Sequence, residues 1–339
     1  MDKQRLHGQL VAYLESLYPE RSSVSVTNLD EINMGWETEL YTLEVDSTIN
    51  GEQFNEKKVL RVFQGDGAGR KSAKEYHLMR KLDIVGYPVP RVYGYESSGK
   101  TIGKPFILME RVMGKTLDET YRNESPELRR GVDRLMTLFA RLHLLDVTPF
   151  KGITELPCHD DPVQDSIDWH RTTAQGQLQW LKPVVDWLTE RQPYIEPVPK
   201  SVLHMDFHGM NVIMREDGSE AVIDWGASRI GDHRMDLGWT LLLYTTFGGD
   251  VYRDLILASY SEYSERKVED IEYFEAMAVT RRIIDFATTM ESGAGSVGLR
   301  PDVVELMKQS KGHYRRVHDV LTEKTGFTLD EFVEALDSL

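Results

Sequence analysis

Apolar residues recur at helical spacing near the start of the chain. Leu6, Leu10, Tyr13, Leu14 and Leu17 predict an amphipathic helix over residues 3–18. The pattern then becomes extended. Val24 to Val26 begins one strand, and Leu40, Thr42, Leu43 and Val45 form a second, with Gly35 at the hairpin tip between them. Lys58 to Phe63 reads as a short, largely apolar strand. A connection rich in glycine (Gly65, Gly67, Gly69) leads into a helix predicted from Ser72 to Leu82. Pro88 and Pro90 end that region, and Val92 to Tyr95 and Pro105 to Met109 read as two more strands. Strands, a helix and further strands make a small α+β lobe over residues 1–110.

Beyond Gly114 the period changes to that of long helices, predicted over 126–145, 170–192, 250–265, 268–291 and 301–324. Two short extended runs, Asn211 to Met214 and Ala221 to Ile223, interrupt them. Residues 118–339 therefore read as a larger, mainly helical lobe, joined to the first through a hinge at 111–117. Ligand sites favour such junctions.

Composition narrows the class. The chain of 339 residues is long enough for two lobes and has no run of eighteen apolar residues. Its first residues lack the apolar stretch of a signal peptide, and its single cysteine, Cys158, excludes an internal disulfide, so a cytoplasmic protein is expected. Cys158 lies in a polar stretch and reads as an incidental thiol. Lys and Arg total 40 against 55 Asp and Glu, a formal charge of −15. A chain this acidic repels nucleic acid and anionic lipid. A monomer is expected.

The stretch from Gly65 to Ser72 sits between a strand and a helix, as a phosphate-binding P-loop does. Arg70 stands where that loop needs glycine before its lysine, and Gly69 comes one position early for a dinucleotide fingerprint. It therefore reads as an ordinary connection. Gly35 is quieter, but a hairpin tip can lay backbone N–H groups over a nucleotide's phosphates.

The chemistry concentrates further on. Asp206 is followed by Asn211 and then by Asp224 within Ile223 to Gly226. Phosphoryl transfer needs a carboxylate near the attacking hydroxyl, hard oxygen ligands for Mg²⁺ and a cation on the phosphates. Asp206 suits the first task, and Asn211 and Asp224 the second. Arg61, a lone basic residue in an apolar strand, suits the third, with Glu75 on the next helix. Gly226 is expected to let the chain turn sharply after Asp224. The order matches the kinase pattern H-x-D-x-x-x-x-N followed by D-x-G.

These motifs resemble those of the aminoglycoside phosphotransferase family, a branch of the protein-kinase-like fold that includes choline kinases. The likeness rests on His204 to Asn211, Ile223 to Gly226, Gly231 to Leu237, Val59 to Arg61, Pro88 to Pro90 and Met109 to Gly114. It implies an α+β, bilobal protein-kinase-like fold, with a small β-rich N-terminal lobe and a larger helical one. It implies ATP, with GTP as the alternative, and Mg²⁺ as cofactors. By the same resemblance Asp206 is the catalytic carboxylate, Asn211 and Asp224 bind the metal, and Glu75 pairs with the phosphate-binding cation Arg61. The Glu110 carbonyl and the Val112 N–H would meet the adenine edge, and Asp236 would brace the catalytic loop. His204 would pack and bond within that loop. Met205 departs from the family's glycine between His204 and Asp206, which is expected to alter loop packing and not the reaction.

The acceptor is then a small hydroxylated molecule, either an antibiotic such as an aminoglycoside or a metabolic alcohol; a silent nucleotide-binding protein is the third reading. Asp160, Asp161, Asp165, Asp168, Glu275, Asp285 and Glu291 would make a pocket for a cationic acceptor if several converge. Trp169, Trp180 and Trp187 would suit a sugar or quaternary amine, although their spacing is that of a core stripe.

Overall fold

The structure is a computed structural model, and it describes residues 3–32, 38–120, 127–293 and 303–338. Helix α1 (Lys3–Leu17) buries Leu6, Leu10 and Leu14 on one face, as their spacing dictates. It packs on a five-stranded antiparallel sheet of β1 (Ser22–Ile32), β2 (Thr38–Ile49), β3 (Glu52–Phe63), β4 (Val92–Glu96) and β5 (Phe106–Glu110), in the order β1-β2-β3-β5-β4. Asn50 and Gly51, with φ of 50° and 85°, make the two-residue turn between β2 and β3. Strand β3 thus begins six residues before the apolar run at Lys58.

Alternation along β3 decides which side chains meet the site. Leu60 and Val62 join the core under α1, and Lys58 faces that side, its ammonium over the Tyr93 ring and bonded to Glu56. Arg61 and Phe63 face the other way, toward α2 (Ala68–Ile84) and the rest of the molecule. The glycine-rich connection serves packing. A Cβ on Gly69 would lie 2.4 Å from the Ser97 carbonyl oxygen, and the Ser72 hydroxyl donates back to the Gly69 carbonyl. Ser72 is buried and committed to the helix, which agrees with reading the P-loop signal as spurious.

After β5 the chain passes Gly114, whose backbone lies so close to β8 that a Cβ would sit 2.0 Å from the Met214 carbonyl oxygen. Strands β6 (Lys115–Thr116), β8 (Val212–Met214) and β9 (Glu220–Val222) form a small sheet, and β7 (Ser201–Leu203) pairs with β10 (Arg229–Gly231). Around them stand α3 (Leu117–Thr120), α4 (Glu127–His143), α5 (Pro162–Thr173), α6 (Lys182–Arg191), α7 (His233–Gly248), α8 (Asp250–Tyr263), α9 (Ile271–Ser292), α10 (Val303–Gln309), α11 (Lys311–Thr325) and α12 (Asp330–Ser338). One large apolar core runs from α2 through α4 and α7. A second lies between α7, α9 and α11. Gly238 lets α7 approach α9, since a Cβ there would meet the Phe274 backbone at 2.7 Å.

The helix expected over 170–192 is two helices separated by a short 3-10 stretch, Gly176–Leu181, that starts at Gly176 with φ of 70°. The segment expected over 301–324 breaks at Ser310. Helix α7 was absent from the sequence reading, as was α12. Among the described residues no helix is long and apolar enough to cross a membrane.

Candidate active site

Strand β7 delivers His204, Met205 and Asp206 into a loop that folds back as a short turn over Gly209 to Asn211. Three residues on one face of α7, spaced i, i+3 and i+4, hold that loop. Asp236 accepts the His204 and Met205 N–H groups at 2.6 and 2.7 Å. The Trp239 indole donates to Asp206 Oδ1 at 3.0 Å, and the Thr240 hydroxyl donates to the Phe207 carbonyl at 2.9 Å. Asp236 also lies 3.2 Å from the buried His143 ring. It braces the loop as the sequence implies. His204, fully buried, bonds the Ile223 carbonyl at 2.9 Å and so ties this loop to the one that follows β9.

Met205 has φ of 68°, in the left-handed region where a Cβ is strained. Its N–H is one of the two that Asp236 accepts, so the strained residue is held by a buried charge.

The Asp206 carboxylate stands half-exposed at the loop's tip. Trp239 occupies Oδ1. Oδ2 lies 3.4 Å from Asn211 Nδ2 and 3.6 Å from His208 Nε2, which leaves it the more open oxygen. Burial would raise this carboxyl, but His208, through hydrogen bonding and charge, and the Trp239 N–H outweigh it and hold it well below the usual range. Burial would lower His208, and Asp206 more than offsets it, so the imidazole is raised. Asn211 Nδ2 also donates to the Asp206 carbonyl at 2.9 Å, which leaves Oδ1 on the far side of the amide.

Asn211 and Asp224 come from neighbouring ladders. Val212 pairs with Val222, and the Ile223 N–H donates to the Asn211 carbonyl at 2.9 Å. Asp224 itself makes the turn, with φ of 65°. This corrects the expectation for Gly226, which has no positive φ and whose notional Cβ meets nothing closer than Arg61 at 3.5 Å. Above Asp224 lies Arg61. One end of its fork is 3.2 Å from Glu75 Oε1, and the other donates to Asp224 Oδ1 at 2.9 Å. Lys74 on α2 donates to the Gly226 carbonyl. The sequence thus named five residues that the fold brings onto adjoining segments: Arg61, Glu75, Asp206, Asn211 and Asp224. It missed Trp239, His143 and Lys74, of which Trp239 was findable as the helical neighbour of Asp236.

Glu110 ends β5. The Phe63 and Arg111 N–H groups bond Pro105 and Lys57 across the β3–β5 ladder, so the alternation turns the Glu110 backbone away from β3. Its N–H donates to the Arg91 carbonyl, and its carboxylate takes the Arg215 guanidinium at 3.0 Å. Val112 follows in the irregular segment before Gly114. Gly35 lies outside the described residues.

Three of the acidic residues have structural partners. Asp161 caps α5, Asp168 pairs with Arg171, and Glu275 is buried against Arg253 and Lys324. Trp187 stacks on Tyr273, and Trp180 packs against Phe332.

Two hard-oxygen side chains, Asn211 and Asp224, suit Mg²⁺, which takes one or two protein ligands beside phosphates and water. Among the described residues no group of three or more His, Cys, Asp or Glu side chains is placed to hold a metal.

A sequence model of the phosphotransferase enzyme family matches residues 30–270. Over 179 residues the chain is 27% identical to acyl-CoA dehydrogenase family member 11 of Pongo abelii and 25% identical to family member 10 of Mus musculus. Those matches cover 50% of this chain but only 23% and 16% of the longer relatives. Among solved structures, the choline kinase LicA of Streptococcus pneumoniae is similar with a TM-score of 0.57 and 16% identity, over 94% of this chain and 99% of that one. A thermostable mutant of the aminoglycoside phosphotransferase APH(4)-Ia, in ternary complex with ADP and hygromycin B, is similar at 0.60 and 14%, over 94% and 100%. At these identities the likeness is one of fold, which is bilobal and kinase-like. Because the family model spans well over half of its length, the chain belongs to the phosphotransferase enzyme family.

Proposed function

We propose that the protein transfers the γ-phosphoryl group of ATP to a hydroxyl of a small molecule, with Asp206 as the base. The observation that carries this reading is the meeting of Asp206, Asn211, Asp224 and Arg61 at the junction of the β-rich and helical parts. The acceptor oxygen forms a bond to the γ-phosphorus as the bond to the β-phosphate oxygen breaks. The hydroxyl proton passes to Asp206 Oδ2, and ADP leaves. Asp206 is ionised at neutral pH, and Trp239 fixes its orientation, so its main contribution is to position the hydroxyl. Arg61 contributes charge to the phosphates while Glu75 holds its other end. Asn211 and Asp224 would hold Mg²⁺, which would neutralise phosphate charge. The Glu110 carbonyl and Val112 N–H meet the purine edge. GTP remains the alternative donor, in keeping with the bound GDP of the similar aminoglycoside 2'-phosphotransferase-IIIa mutant.

The test is nucleotide turnover with a panel of hydroxylated acceptors, wild type against Asp206→Ala. Turnover that survives in Asp206→Ala, or unchanged MgATP binding in both Asn211→Ala and Asp224→Ala, would defeat the assignment.

A further inference from the structure

Beside the catalytic loop lie two arginines and a buried histidine that no role described so far uses. Arg229 on β10 pairs directly with Leu203, three residues before Asp206. Alternation places its side chain on the same side as Gly231, the side that faces Pro162 of α5 and Met235 of α7. His170 lies on the face of α5 that carries Val163 and Ile167, both buried against Leu203 and Met205. Arg281 on α9 stacks its guanidinium 4.2 Å over the Trp239 ring, whose N–H holds Asp206. A single indole therefore carries the base at its edge and a cation on its face.

Several nitrogens of these groups lack hydrogen-bond partners. His170 is only 2% exposed, and among the described residues neither ring nitrogen has a hydrogen bond; the same is true of Arg229 Nε and Arg281 Nη1. The carboxylates nearby are spent or distant. Asp165 is 3.2 Å from His159, Asp236 holds the loop N–H groups, and Asp285 forms a long ion pair with Arg281 Nε at 3.7 Å, which leaves Arg281 Nη1 without a bond. Burial and then the two arginines pull His170 down to about 3, and burial and then Arg281 pull Arg229 down to about 10. Unpartnered buried donors and neighbouring like charges are unfavourable, and such an arrangement persists where a ligand satisfies it.

We infer that the acceptor carries an anionic group, a carboxylate or a phosphate, which Arg229, Arg281 and His170 bind while its hydroxyl meets Asp206. This rests on the phosphotransferase reading and gives it a substrate class. The hydroxyl and the anion are separated by about the span of one indole, so the acceptor is short. Arg229 and Arg281 act as specificity determinants.

Four acceptors on one small skeleton test this: glycerate, glycerol 3-phosphate, glycerol and ethanolamine. The expected kcat/KM for the better of the two anions exceeds that for glycerol and ethanolamine by at least about tenfold, the value of a charge-assisted hydrogen bond. The carboxylate and phosphate arms identify the anion. Arg229→Gln should abolish the preference mainly through KM, and Arg229→Lys should restore part of it. In parallel, inorganic phosphate or succinate should raise the Tm of the wild type and not of Arg229→Gln. The ligand-free Tm of that variant should hold or rise, because a like charge has been removed; an arginine with only a structural role predicts a fall. Preference for glycerol or ethanolamine, or equal anion stabilisation of wild type and variant, overturns the inference. If none of the four is phosphorylated, the Tm comparison decides it. Calorimetric titration with MgATP reads the parent proposal separately, since loss of nucleotide binding there would sink the kinase reading and leave the anion site standing.

Discussion

Replacing Asp236 by asparagine tests how the catalytic loop is held. The carboxylate is fully buried and accepts two backbone N–H groups at 2.6 and 2.7 Å, with His143 at 3.2 Å. Asparagine keeps one acceptor and turns its amino group toward the other donor, which leaves one N–H unsatisfied and the second bond without charge assistance. A hydrogen bond to a charged group contributes about 1.5–3 kcal/mol, and the loss should come to about 3 kcal/mol in urea unfolding. The effect on rate has a second source. Met205 holds φ at 68°, a conformation costing about 1–2 kcal/mol for a residue with a Cβ. With its anchor weakened, the loop relaxes and Asp206 moves; displacement of about 1 Å lowers kcat by about 100-fold. Adding Met205→Gly to Asp236→Asn separates the two effects. Glycine adopts this φ without strain, so kcat should partly recover, while loss of the buried methionine lowers stability further. A single Asn variant within about 0.5 kcal/mol of wild type would refute the bonding argument. A double variant with no recovery of kcat would refute the role of strain.

Further outcomes follow from burial and close approach. Burial holds His170 near about 3, His233 near about 4 and His313 near about 3, with neighbouring cationic groups adding to each shift. A histidine depressed below its unfolded value stabilises the fold above about pH 6.5, and that contribution is lost as pH falls toward the folded value, at up to about 1.4 kcal/mol per pH unit for each. The urea midpoint should therefore drop steeply from pH 6.5 to 5, and His170→Gln should flatten the slope; a level profile would contradict these burials. Gly114→Ala places a methyl 2.0 Å from the Met214 carbonyl oxygen, backbone against backbone, and should cost at least about 2 kcal/mol in the same assay. Alkylation of the exposed Cys158 should leave phosphotransfer unchanged, whereas inactivation would expose a role for the thiol.

The motifs from His204 to Gly226 were legible because phosphoryl transfer demands particular polar side chains at fixed spacing between short apolar strands. Helix α7 was not. His233 to Leu242 are buried on every side, so the apolar stripe that marks a surface helix is missing. The start of β3 was hidden for the opposite reason, since Glu52 to Lys57 are too polar to look like a strand. Asn50 and Gly51 carried the signal instead, as the turn that sets its register. Asp161 and Pro162 likewise mark the start of α5, by a cap accepting the Val163 and Gln164 N–H groups and a proline at the first helical position. The sequence pattern also assigned the turn after β9 to Gly226, when Asp224 makes it. An aspartate tolerates the left-handed region better than most residues, so the proposed metal ligand and the turn share one position.

Arg61 shows what spacing cannot carry. Many kinases have a lysine here; an arginine keeps the charge, and its planar fork is expected to sit differently. In the fold its planar fork is divided, with one nitrogen on Glu75 of α2 and the other on Asp224 beyond β9. A lysine ammonium is a point charge and has no fixed fork to span two carboxylates. Arg61 therefore links the sheet, α2 and the loop that carries Asp224, with Lys74 bonding the same loop two residues on. This linkage also assigns the oxygens of Asp224. Oδ1 belongs to the guanidinium, so a cation reaching this carboxylate meets Oδ2 or displaces Arg61 toward the phosphates. Either way the residue proposed to receive phosphate charge is coupled to the residue proposed to receive metal charge. That coupling follows from an arginine at this position, and it gives the departure from lysine a physical consequence at the centre of the site.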